Sequence, residues 1–597
     1  MLARQPLVIV ALLAVAFPVV AADDKKEPPL IAHIALSGDL DEAPTGDASS
    51  LLASEPEENL KQKVDRIAKA KADPKVKALL LEIHDLDLGL FGFGKVNEVR
   101  AAVADFRKSG KKAYAYVEEI GGLDYLIACA CDQVIIPEGG SFGLTGLHLE
   151  MSFYKDLFDK VHVKGDFLTM GEAKGAVEPF TRTEMSPENR KQYNLVLDDL
   201  YDRGIVETIV ASRPAQKWDA ARVKAIIDEA PYTTKKAKEL GLVDHVAYFD
   251  SAKGLIEADV KAGDLKLEKD YQKPQAPKMD ALDLIMKMLS PPKKKSSKKT
   301  KIAIIYAVGG IETGKGGQGL FSSSVGSTTM VEAIREAEKD STVKAIVLRV
   351  DSPGGSALAS DLIWHELKQC KKPIVASMGD VAASGGYYIT MSARKVFAEP
   401  GTLTGSIGVL GGKIVIGGVL DWAGVKTETL ARGKNSGLDS MYHPFSEGEK
   451  KAVTATMQDV YDQFLDKALA GRTANGVKMD KARLLTLAGG RIWTGRQAKE
   501  AGLVDALGTL DDAIAEAKVM ARLAASEEVD YLILPEPGNP LESLLGGKLG
   551  LNGRAGDLFS LLKTMPEAKA HLRAAENLLR MRGDRAWLVL PYSVRVR

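Results

Sequence analysis

Three cysteines in 597 residues, Cys129, Cys131 and Cys370, are too few for a disulfide framework, and the first two sit two apart in an apolar run as small core residues. The eight histidines are scattered, with no H-E-x-x-H pair and no other metal-ligand spacing, so no metal or other cofactor is expected. No charge of one sign dominates: 80 Lys+Arg face 80 Asp+Glu, which leaves no global field to draw nucleic acid. Aromatics reach only 6%, against 45% hydrophobic residues in all, an ordinary globular mixture in a chain long enough for two or more domains. Long apolar runs are confined to the N-terminus. There Arg4 precedes an uncharged stretch, LVIVALLAVAFPVVAA (7–22), followed at once by Asp23 and Asp24. A positive start, an apolar middle and small residues at Ala21 and Ala22 describe a secretory signal or, if retained, a short membrane anchor over residues 1–22. Either places the body of the protein outside the cytoplasm.

What is present is a repeat. LIAHIALSG (30–38) is matched by KIAIIYAVGG (301–310), DPKVKALLLEI (73–83) by DSTVKAIVLRV (340–350), and KKAYAYV (111–117) by KKPIVASM (371–378). DYLIACACDQVIIPE (124–138) answers GYYITMSARKVFAEP (386–400), an LTG triplet follows each, and YTTKKAKELGLVD (232–244) answers IWTGRQAKEAGLVD (492–505). Apolar strands alternating with helical segments predict βα units with parallel pairing, an α/β fold. The expected organisation is an N-terminal repeat over 28–285, a Lys/Pro/Ser linker over 286–301, a C-terminal repeat over 302–535, and a tail over 536–597. The linker's lysines read as a solvated connector. The tail carries a Gly-rich patch and an amphipathic helical pattern including Leu572, Leu578 and Leu579, and no function is assigned to it.

Chemistry-bearing residues lie where the copies differ. In the second copy a strand ends in DSPGGS (351–356), whose Gly354 and Gly355 offer backbone N–H groups to an oxyanion. GDVAASGGYYIT (379–390) then sets Ser384 between a strand and a helical stretch, with the Gly385 N–H as a second donor; the plain reading of such a serine is a helix N-cap. With Tyr125 laid over Tyr387, the first copy has Gly122 in place of the serine, and HDLDLG (84–89) in place of the glycine turn. The first copy has instead MGEAKGAVEPFTR (170–182), whose Lys174 falls on Ser436 when Gly171 is laid over Gly433. One copy keeps the serine and the other the lysine, which predicts a single composite site. Lysine serves as a base only when neutral. At pH 7 an ordinary lysine, of pKa about 10.4, is neutral roughly once in a few thousand, and burial lowers that pKa by up to about 3–5 units. Lys174 sits among small residues, as close packing requires, although Glu178 could simply pair with it. Lys434 is the competing lysine. Ser406, in LTGSIG, is either an orienting hydroxyl or a turn residue, and His365 offers a Ser–His pair or is merely packed.

DSPGGS, AASGGYYI, LTGSIGV and GEAKGAVEPF together resemble the signal peptide peptidase A (protease IV) family in its long two-repeat bacterial form, over about residues 30–535. The resemblance implies two tandem Clp-protease/crotonase-like βα superhelical repeats and a serine endopeptidase with a Ser–Lys dyad. It implies Ser384 as nucleophile, Lys174 as base, Ser406 as the lysine's partner, and Gly354, Gly355 and Gly385 around the oxyanion. It further implies cleaved signal peptides and other short apolar peptides as substrates, no cofactor, no nucleic acid, a homo-oligomer (a tetramer), and a place at the inner membrane facing the periplasm. The family usually has an aromatic residue before the lysine and a serine after it; here Ala173 and Gly175 stand there. The alternatives are a crotonase-like acyl-CoA hydratase or hydrolase, against which the export signal stands, and a non-catalytic envelope scaffold.

Overall fold

The computed structural model describes residues 28–38, 40–44, 58–88, 91–274, 298–318, 323–536 and 586–589. The N-terminal apolar stretch, most of the linker and the tail's helical pattern lie outside the described residues. Among those that are described, no helix is long and apolar enough to cross a membrane.

The duplication read from the sequence is a duplication of topology. In the first repeat, strands Lys266–Glu268, Leu30–Gly38, Val76–Leu86, Lys112–Val117, Gln133–Ile136 and His245–Val246 lie side by side in that order, every neighbouring pair parallel. In the second, Asp530–Leu534, Lys301–Val308, Val343–Ser352, Ile374–Ala383, Lys395–Ala398 and Ala506–Leu507 lie in the same order, again parallel throughout. These strands are near-continuous apolar runs because helices cover the sheets, and all-parallel sheets are buried on both faces. Matching polar contacts recur as well. The Tyr125 hydroxyl donates to Leu242 O at 2.7 Å, and that of Tyr387 donates to Leu503 O at 2.9 Å, the same position of the two GLVD segments. Arg213 pairs with Asp244 in the first repeat as Arg472 does with Asp505 in the second.

The two repeats are not separate beads. The core of the first takes in Ala383, Leu403 and Ile492 from the second. A third sheet also crosses between them: Lys164–Met170 of the first pairs antiparallel with Val409–Val415 of the second, from Met170↔Val409 to Lys164↔Val415. That pairing carries the chain directly into the Lys174 segment and delivers it beside the second repeat.

A buried ion cluster locks the same seam. Arg349 is fully buried on Val343–Ser352; its Nη2 and Nε donate to Glu42 at 2.7 and 2.9 Å, and its Nη1 lies 3.0 Å from Glu98 Oε1. Both acids belong to the first repeat. Glu399 lies in the same cluster, and burial first, then the nearby Glu98 charge, holds its carboxyl well above the usual range. Removing one partner of such a pair leaves an uncompensated buried charge. Arg349→Met is therefore expected to cost about 3–5 kcal/mol in urea unfolding, with the loss shrinking as acid neutralises the stranded carboxylates; an unchanged midpoint would show that the cluster does not hold the seam.

Candidate active site

Ser384 stands between strand Ile374–Ala383 and helix Gly385–Thr390 with φ 55° and ψ −112°, a conformation costly for a residue with a Cβ. Its hydroxyl makes no capping bond, so the plain N-cap reading does not hold. The helix has only six residues, shorter than the sequence suggests. The turn itself is inherited: Gly122, the equivalent residue in the first repeat, also has positive φ, 66°. Glycine takes that angle freely, whereas serine must be held there. Ser384 N donates to Gly405 O at 2.8 Å, and Ser384 O accepts from Tyr388 N at 2.8 Å.

Lys174 and Ser384 meet. Nζ and Oγ are 2.6 Å apart within one chain, 210 residues apart in sequence. Nζ also lies 3.0 Å from both the carbonyl and the hydroxyl oxygen of Ser406. All three residues are buried: Lys174 is 3% exposed, Ser384 and Ser406 0%. No carboxylate reaches the amine. Glu178 turns away, accepting from Asn189 Nδ2 at 2.8 Å and Ser186 N at 3.1 Å. Burial alone therefore pushes the Lys174 pKa well below the ordinary lysine range. The three contacts match a neutral amine: two N–H groups for the Ser406 oxygens and one lone pair for the Ser384 O–H. An amine so placed can take the serine's proton. Lys434 and His365 are both exposed, well separated in environment from this buried pair.

The glycines divide. A Cβ on Gly385 would stand 3.1 Å from both Gly354 Cα and Gly355 N, so the three glycines adjoin the serine's helix start. The Gly354 N–H, however, already donates to Ser352 Oγ at 3.1 Å. Gly355 owes its lack of a side chain to packing, since a Cβ there would meet Ile311 O at 1.9 Å. Gly355 N–H and Gly385 N–H are the donor pair best placed for an oxyanion; the latter lies in the first helical turn, where amides have no intrahelical acceptor.

Sequence reasoning missed the residues that hold the lysine. Gly489 and Gly490 have φ 71° and 83°. A Cβ on Gly490 would come within 2.4 Å of Lys174 N, and one on Gly171 within 2.5 Å of Gly489 C. Ala173 N donates to Gly489 O at 2.9 Å. Gln192 spans the seam, its Nε2 donating to Ala173 O and its Oε1 accepting from Ile492 N, each at 3.0 Å. The Gly-Gly pair just before IWTG was the available signal. The family departures at Ala173 and Gly175 also have a local reason: Ala173 is buried, and a Cβ on Gly175 would meet Asn189 Nδ2 at 2.3 Å.

Duplicated parallel βα repeats with a buried serine on a strained strand-to-helix turn define a serine hydrolase of the Clp-protease/crotonase-like class. The chain belongs to peptidase family S49, whose sequence model matches residues 105–263 and 366–524, one segment in each repeat; it is a serine peptidase. It is 33% identical over 494 residues to the chloroplastic serine protease SPPA of Arabidopsis thaliana, covering 82% of this chain and 70% of that one. Protease 4 of Salmonella typhi is 32% identical over 471 residues, covering 77% and 72% respectively. Among solved structures, a ClpP1 variant from Listeria monocytogenes matches 35% of this chain and 94% of its own, at 15% identity and a TM-score of 0.23.

Proposed function

We propose that this chain is a Ser–Lys dyad endopeptidase that degrades cleaved signal peptides and other short apolar peptides at the cell envelope. The observation that carries the dyad is the 2.6 Å approach of Lys174 Nζ to Ser384 Oγ in a buried site without a carboxylate. In this reading the neutral amine takes the hydroxyl proton as Oγ bonds to the scissile carbonyl carbon. The carbonyl oxygen gathers negative charge against the Gly355 and Gly385 amides. The protonated amine, with a third N–H and still tied to Ser406, returns that proton to the leaving nitrogen as the C–N bond breaks. Water, deprotonated by the same amine, then releases the acyl group from Ser384. Ser406 is a positioning residue, holding the amine's two N–H groups so that its lone pair points at Ser384.

The substrate class rests on the slot beside the serine. Gly354–Ser356 offers a bare backbone edge, and Leu410, Ala176, Val177 and Phe167 form an apolar wall across from it. Such a slot suits an extended apolar peptide read through its main chain. A homo-oligomer working against the membrane surface completes the reading, supported by the exposed apolar side chains of Trp422, Val425 and Leu430. The acyl-CoA and scaffold alternatives have no comparable support once the family is a peptidase family. Incubation of the purified full-length protein with a synthetic signal peptide and with a folded globular protein is expected to degrade the peptide and spare the protein. Equal turnover of an acyl-CoA thioester, with the peptide left intact, would reject the reading.

A further inference from the structure

The tail returns to the active site. Residues 586–589 form the described part of the C-terminal tail, within the apolar run AWLVL (586–590) bounded by Arg585 and Pro591. Strand Trp587–Val589 pairs antiparallel with Gly354–Ser356 in the register Val589↔Gly354, Leu588↔Gly355, Trp587↔Ser356. Its other edge pairs with Val409–Val415 through Trp587↔Leu410. Among the described residues, the path of the third sheet from Gly354–Ser356 to Val409–Val415 runs through this tail strand.

The strand lies where a peptide must lie to meet Ser384. Ala357 N donates to Ala586 O at 3.2 Å, which sets the phase of the ladder. Hydrogen-bonded pairs alternate along antiparallel strands, so Gly355 and Leu588 form the next mutually bonded pair. The Leu588 carbonyl thereby meets the Gly355 amide, one of the two proposed oxyanion donors. On the other side the buried Trp587 ring packs with Ala176, Val177, Leu410 and Phe167. Ala176 and Val177 lie two and three residues beyond Lys174. The tail thus gives its backbone to the second repeat and its largest side chain to the first, contacting both contributors to the composite site.

We propose that segment 586–589 is a built-in ligand of this slot: it lies as a substrate-like strand beside Ser384, seats Trp587 in an aromatic-accepting subsite, and competes with incoming peptides. The inference rests on the peptidase reading above for what it inhibits, but not for what it binds. Main-chain pairing tolerates many sequences, so a peptide substrate and the tail require the same backbone edge, and only one strand fits. Tethering gives the tail a high effective concentration without requiring strong intrinsic affinity.

Two full-length variants detach it differently. Leu588→Pro removes an N–H that the ladder uses, and Trp587→Ala empties the aromatic subsite. Either is expected to lower KM for a short fluorogenic apolar peptide on the order of tenfold, with the change confined to KM; an unchanged or raised KM overturns the inference. Binding is read separately by fluorescence anisotropy of a labelled AWLVL peptide on Ser384→Ala protein. Adding Leu588→Pro or Trp587→Ala to that protein is expected to tighten binding by about tenfold or more. Tightened binding without hydrolysis by the wild type would leave the tail inference standing and sink the dyad. Normal hydrolysis with unchanged binding would do the reverse. Wild-type chain shortened within 586–590, with Ser384→Ala chain intact, would mark the tail as a consumed substrate and overturn the competitive role.

Discussion

Ser384→Ala is expected to lower kcat for peptide hydrolysis by roughly 10⁴-fold or more and to abolish labelling by a fluorophosphonate probe. The reason is that no second nucleophile is placed to substitute. Ser406 Oγ lies 3.0 Å from the same amine, but Ser406 N is tied to Arg491 O and its carbonyl holds the lysine. Ser352 and Ser360 are committed to Gly354 N and Ser356 O. Alanine removes one buried oxygen and keeps the Cβ that already occupies the strained turn, so the variant should fold with its unfolding midpoint nearly unchanged. Retained activity or retained labelling would place the nucleophile elsewhere.

Lys174→Met is expected to reduce kcat by roughly 10³–10⁴-fold, whereas Lys434→Ala leaves it within about twofold, as for an exposed surface side chain. Methionine fills a comparable volume but can neither accept the serine's proton nor return it to the leaving nitrogen. In the wild type the neutral amine is the active form, so kcat/KM should rise with pH through the depressed pKa of Lys174 and fall off on the acid side. The same depression makes an opposite prediction for stability. Between the folded pKa and the ordinary lysine value the unfolded chain binds one more proton, so this residue's contribution is full above the ordinary value and is lost as pH falls through the folded one. Methionine has no such proton. Lys174→Met should therefore raise Tm by about 2–4 °C near neutral pH, with the gain vanishing in alkali. A variant that loses activity and stability together would indicate a structural lysine instead of a base.

The repeat was legible because its signals are local. Apolar runs of strand length, the turn glycines and the GLVD segments recur in order, and each corresponds to a pair of superposable strands or contacts. Ser384 could be picked out against Gly122 for the same reason: two copies of one turn, one with a side chain and one without. The lysine was harder, since a lysine among small residues describes many surface loops, and its assignment leaned on the missing partner at Ser436. The Gly354 amide was misjudged because a glycine's donor looks available in sequence, whereas the Ser352 hydroxyl two residues earlier takes it. The tail strand left no periodic signal beyond five apolar residues, too few to show where they dock.

The sequence by itself determined two βα lobes, their strand order, and which lobe carries the alcohol and which the amine, because periodicity and turn chemistry act between near neighbours. Only the tertiary structure decided that the amine is desolvated, that both its N–H groups are occupied by Ser406, and that the tail lies along the glycine edge. Each of those depends on atoms brought within about 3 Å of one another from segments some two hundred residues apart, and desolvation is a property of everything that surrounds a group, which no short stretch of chain encodes.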